Sequence, residues 1–91
     1  MRDVDTIVET VTRRFPAVEV EQLKVSHPGA DDDGLWFFSL PGSSDEVQIE
    51  SWNGMCPFLI ETRRTPERRA GQSVQEVADV ICDYLATVNF A

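Results

Sequence analysis

Side chains able to do chemistry are few in this sequence, and they are scattered. Its single histidine, His27, stands before Pro28, and its two cysteines are Cys56 and Cys82. Imidazole can act as a general base and a thiolate as a nucleophile, but only within hydrogen-bond reach of one another. Nothing in the spacing brings His27 to Cys56. Cys56 alternates onto the same side as the apolar Phe58, and Cys82 falls on the apolar flank of a predicted helix, so both read as packing thiols. The run Asp31-Asp32-Asp33-Gly34 has the composition of a calcium loop without its arrangement. Such loops alternate their ligands and close on a distant glutamate, whereas this run does neither and reads as a turn. The pair Glu50 and Glu61 can share one sheet face, as acids commonly do in acidic sheets. P-loop, GxGxxG, HExxH, GxSxG and zinc-ligand spacings do not occur. The expectation is a protein that is not an enzyme and has no catalytic residue, metal or cofactor. A small enzyme without a recognisable motif is the weaker alternative.

One stretch is chemically distinctive. Arg63-Arg64-Thr65-Pro66-Glu67-Arg68-Arg69 holds four of the eight basic residues and carries a local charge of +3, so the rest of the chain sums to −11. Guanidinium is a bidentate donor, and two arginine pairs flanking a turn would suit a phosphate or carboxylate. Arg63, Arg64, Arg68 and Arg69 are therefore the candidate anion-binding residues. The plainer reading is a solvated loop whose arginines pair with the protein's own acids near Glu50 or Glu61.

The whole chain opposes nucleic acid as the ligand. Its 91 residues carry sixteen acids, eight bases and a net charge of −8. Phosphate-backbone binding calls for clustered lysine and arginine, and the RNP-type motif of sheet-based RNA binders is missing. Acidity fits solubility or a basic partner. At this length the chain forms one domain, 1–91, with a thin core and little material for a deep pocket. Two distant cysteines favour reduced thiols over a disulfide scaffold. Met1-Arg2-Asp3 leads straight into an amphipathic pattern, and no apolar run approaches a membrane span. A cytoplasmic protein without a membrane segment is expected.

The elements that must position these groups follow from periodicity. Val4, Ile7, Val8, Val11 and Phe15 recur at helical intervals, with Asp3 or Asp5 available to cap and Pro16 to stop the helix. Val18 to Ser26 is a poorer strand whose apolar parity changes, which calls either for a bulge near Glu21-Gln22 or for two apolar faces that meet different neighbours. A loop of proline, glycine and aspartate follows. Leu35 to Leu40 is apolar on both faces and reads as a central strand. Ser73-Val74-Gln75-Glu76 is a capping box, and Val74, Val77, Ala78, Ile81, Leu85 and Val88 form the stripe of a second helix. The expected fold is α+β in the order α-β-β-β-β-α, a two-layer sandwich with an antiparallel sheet and both helices on one face.

Between Leu40 and the second helix lies a hairpin around Asn53-Gly54. Pairing Val47 with Ile60, Ile49 with Phe58 and Ser51 with Cys56 makes one face consistently apolar. A two-residue turn would ask Pro57 for an N–H that proline lacks. A four-residue loop, Trp52 to Met55, avoids this, with the Pro57 strand at or near a sheet edge.

The opposite face then carries Glu50, Trp52, Leu59 and Glu61, with Leu35 and Phe37 beside them. Aromatic and aliphatic groups among carboxylates are suited to recognising a partner. Phe37, Glu50, Trp52, Leu59 and Glu61 are the candidate partner-binding residues, and the partner is a protein or a second copy of this chain. In charge and size alone the chain is similar to small acidic inhibitors of basic enzymes, such as toxin-neutralising immunity proteins. That likeness implies a protein-binding module, with anion or nucleic-acid binding through the 63–69 loop as the alternative.

Overall fold

The first helix, α1, runs Asp3–Arg14 and buries Val4, Ile7 and Val11. In the computed structural model, residues 2–22, 34–43, 45–63 and 69–89 are described. At the start of α1 the Arg2 N–H donates to Asp5 Oδ2 at 3.0 Å, while the Asp5 N–H donates to the Arg2 carbonyl at 3.0 Å. Acids at this end and Arg13 and Arg14 at the other complement the helix dipole. The Phe15 N–H closes on the Val11 carbonyl, and Pro16 cannot continue the ladder.

Five strands follow: β1 (Glu19–Gln22), β2 (Leu35–Ser39), β3 (Glu46–Glu50), β4 (Phe58–Thr62) and β5 (Arg69–Gly71). They form one antiparallel sheet in the order β1-β2-β3-β4-β5, so each strand pairs with its neighbour in sequence. Helix α2 (Val74–Asn89) ends the described chain. The Ser73 hydroxyl accepts from the Glu76 N–H at 3.1 Å, as a capping box requires. The Glu76 carboxylate reaches one residue beyond the box, to the Gln72 N–H at 2.7 Å.

The core joins Val4, Ile7 and Val11 of α1 and Val77, Ala78, Ile81, Cys82 and Leu85 of α2 to one alternation of the sheet. That alternation is Trp36, Phe38, Val47, Ile49, Phe58 and Ile60. Trp36 and Phe58 meet edge to face, ring centroids 6.4 Å apart, and Arg2 lies over the Trp36 ring at 5.8 Å. Each such side chain taken fully out of water contributes about 1.5–3 kcal/mol. The partition between core and outer alternation fixes which residues are left for recognition.

Three expectations change. The hairpin is shifted by two residues: Ile49 pairs with Ile60, Val47 with Thr62 and Glu50 with Leu59. An even shift preserves the faces, so the apolar side remains apolar, but the connection lengthens to residues 51–57. Contacts to α1 occupy the added length. The Val4 N–H donates to the Gly54 carbonyl at 2.9 Å, and the Cys56 N–H donates to Asp3 Oδ2 at 2.9 Å. Asp3 therefore fixes the hairpin loop rather than capping its own helix. The Cys56-Pro57 peptide is cis, and Pro57 precedes β4.

The second change is β5, a strand at the end of the stretch expected as a basic loop. Three residues are too few to show a period, yet Phe58 pairs with Gly71 and Ile60 with Arg69. The strand after Pro57 is consequently flanked on both sides, and β5 forms the edge. Third, of the two readings of this strand the bulge is not found as far as Gln22, since β1 stays in register from Glu19–Ser39 to Gln22–Trp36. The rest of that predicted strand, residues 23–26, lies outside the described residues.

Candidate functional site

The outer alternation of the sheet falls into three cross-strand rows. Leu35, Glu50, Leu59 and Ala70 are in register across β2 to β5. Next to them run Glu21, Phe37, Gln48 and Glu61 across β1 to β4. The third row is Glu19, Ser39 and Glu46. Directly opposed residues in such rows stand about 4.5–5.5 Å apart at Cβ, so each row is one continuous surface. Among the described residues, these strands bring five glutamates to this face, and Arg63, just past the end of β4, lines its border. Glu50 and Glu61 also engage in interactions within the chain.

The predicted partner-binding residues Phe37, Glu50, Leu59 and Glu61 are thus brought together, in two adjacent rows. Phe37 is half-buried, whereas Leu59 is 40% exposed. Trp52, 85% exposed, stands beyond the end of β3 beside the first row. A large aromatic ring left in water is the unusual feature here, since a scattered aliphatic group on a surface needs no explanation.

Local hydrogen bonds hold the segment that carries Trp52. Ser51, 6% exposed, donates from its N–H to the Gly34 carbonyl at 2.8 Å. Its hydroxyl donates to the Met55 carbonyl at 2.6 Å, and the Met55 N–H donates to Asn53 Oδ1 at 3.0 Å. With the α1 contacts, these bonds tie both ends of the loop to the body of the protein. Beside it lies a pocket of about 330 Å³ whose walls are Leu35, Trp52, Pro57 and Leu59, with Glu50 among them. Gly34 and Ser51 complete it. At the opposite end of the face a polar depression of about 420 Å³ is lined by Glu46, Gln48, Glu61, Thr62 and Arg63.

The described arginines do not assemble into an anion grip. Arg63, beyond the end of β4, pairs with Asp45 at 3.5 Å. Arg69 has the inward alternation of β5, opposite Ile60, and pairs with Glu76 of α2 at 3.9 Å. The two guanidiniums leave the sheet on different sides and meet different carboxylates, Asp45 and Glu76. Arg64 and Arg68 lie outside the described residues, as do His27 and Asp31-Asp32-Asp33. Among the described residues no cluster of histidine, cysteine and acids has the makings of a metal site, and no helix is long and apolar enough to cross a membrane.

Both thiols are held above the usual thiol range. Burial is the main cause at Cys56, reinforced by a hydrogen bond and charge from Asp3. Burial also dominates at Cys82, where Asp79 and Asp83 add to it and Arg14 opposes it. Neither environment generates a thiolate at neutral pH.

No protein family, curated protein or solved structure matches the chain. The site is therefore argued from its own geometry.

What the sequence missed is the support of the site. The approach of Gly34 to Ser51 and the bonds from Asp3 and Val4 to the loop join residues distant in the chain. Pairing charges Glu19, Glu21 and Glu46 with the same face also needed the register.

Proposed function

We propose that the protein is a non-enzymatic binding module that docks a basic partner protein on its outer sheet face. The observation carrying this reading is the composition of the in-register rows: five glutamates without a strand lysine or arginine, interleaved with Leu35, Phe37 and Leu59 and flanked by exposed Trp52. Apolar groups supply contact area, and the carboxylates select a cationic partner and speed its approach. A second copy of the chain would bring the same carboxylates against these, which disfavours a homodimer through this face. The low charge of the thiols and the separated arginines support binding over catalysis or anion capture. A small cytoplasmic inhibitor of a basic enzyme fits this description.

The test is comparative capture from host extract on immobilised protein. The wild type is expected to retain basic proteins that Trp52→Ala with Leu59→Ser loses, and that Glu21→Gln with Glu46→Gln and Glu50→Gln also loses. Equal retention by all three baits, or self-association with no other protein held, overturns the reading.

A further inference from the structure

We propose that the 330 Å³ pocket beside Trp52 receives one lysine or arginine side chain of the partner, making it the specificity subsite of the docking face. This inference rests on the sheet-face reading above. Size comes first. A volume of 330 Å³ is at the small end for ligand pockets, which run from about 300 to 1,000 Å³, and suits one long side chain rather than a nucleotide or cofactor.

Wall chemistry decides the occupant. Leu35, Leu59 and Pro57 offer an apolar channel, and long cationic side chains lay their methylene stems along such surfaces. Glu50 stands between Leu35 and Leu59 in the same row, so the carboxylate meets whatever lies along the leucines. Trp52 is the best of the aromatic rings for holding a cation over its face. Its exposure leaves that face accessible. Among the described residues, no basic side chain lines the pocket. Glu50 takes part in an interaction within the chain, but a carboxylate has about four lone-pair sites and can accept from a further donor. A leucine or phenylalanine guest would fill the channel but offer no donor to the lone pairs of Glu50 that it takes out of water, which carries a desolvation penalty.

The experiment follows backbone and indole resonances of the full chain during titration with blocked single amino acids at millimolar concentration. Acetyl-arginine amide and acetyl-lysine amide are the probes, with acetyl-citrulline amide and acetyl-norleucine amide as neutral controls of similar length. Saturable shifts at the Trp52 indole N–H, Gly34 and Leu59 are expected with the cationic probes, reduced by salt, and at least twofold weaker binding is expected for the controls. Trp52→Ala, read at Gly34 and Leu59, is expected to bind arginine roughly two- to fivefold more weakly. Equal shifts with norleucine, or none with any probe, overturn the inference. A mixed lysine- and arginine-containing peptide separates the two levels. Shifts at Phe37, Gln48 and Glu61 without any at Trp52 and Leu59 would sink the subsite and leave the docking face standing. Silence across the whole outer face would count against both.

Discussion

Replacing Gly34 by alanine should be among the most damaging small changes in the protein, and the cost follows from one distance. A Cβ placed on Gly34 would lie 2.2 Å from the Ser51 carbonyl oxygen and 2.9 Å from its carbon. Both are backbone atoms, so no flexible side chain can yield. The strands must separate by about 1 Å to reach ordinary contact, which weakens the Ser51 N–H bond to the Gly34 carbonyl, now 2.8 Å. Losing that bond costs about 0.5–1.5 kcal/mol, and overpacking adds about 1–3 kcal/mol. A total of about 2–4 kcal/mol is a large part of the stability of a domain this size. It corresponds to a fall in Tm of roughly 8–30 °C. Thermal and urea unfolding followed by circular dichroism would measure it. Gly42→Ala is the control: Gly42 has φ +82° with nothing within 4 Å, so its cost is conformational, about 1 kcal/mol. A Gly34→Ala protein that melts within about 2 °C of the wild type, or above Gly42→Ala, would refute the close approach that shapes the Trp52 pocket.

Other consequences are smaller. Arg63→Ala and Arg69→Ala should each cost no more than about 1 kcal/mol, because both guanidiniums are largely exposed, and their effects should add within about 0.5 kcal/mol. Stabilisation of the wild type by phosphate that both substitutions abolish would restore the anion grip. Alkylation of Cys56 and Cys82 in the folded protein should be slow at neutral pH and accelerate only above the ordinary thiol pKa of 9.0; rapid labelling of either at pH 7 would contradict their environments. The same shifts set a pH dependence of stability. The folded state holds these protons more tightly than the unfolded one, so their contribution is intact below pH 9.0 and is lost as pH rises through the folded values. Chemical denaturation between pH 8 and 11 should show a decline that a Cys82→Ala variant reduces.

Much of this architecture is legible in the sequence because it is periodic. The stripe Val4, Ile7, Val11 and the stripe Val77, Ala78, Ile81, Leu85 declare their helices, and the alternation through Trp36, Phe38, Val47 and Ile49 assigns the inner side of the sheet. A two-residue error in hairpin register left those faces intact, since side-chain direction repeats every second residue. That is why alternation alone puts Glu50, Leu59, Glu61 and Phe37 on one face, whichever of the two registers holds. What periodicity cannot convey is non-local. β5 exists because Gly71 and Ala70 find β4, not because three residues prefer an extended form. The loop holding Trp52 is longer than turn chemistry alone suggests because Asp3 and Val4 bind it from the far end of the chain. The arginines show the same limit: neighbours in sequence, Arg63 and Arg69 part company once one lies beyond β4 and the other turns inward on β5.

The most direct test of the docking face is the association rate of the captured basic partner with the immobilised protein at low and high salt. For the wild type, a fall of about tenfold or more with rising salt is expected, and the Glu21→Gln, Glu46→Gln, Glu50→Gln protein should begin near the slow limit while remaining folded. A rate indifferent both to salt and to those three carboxylates would contradict the account.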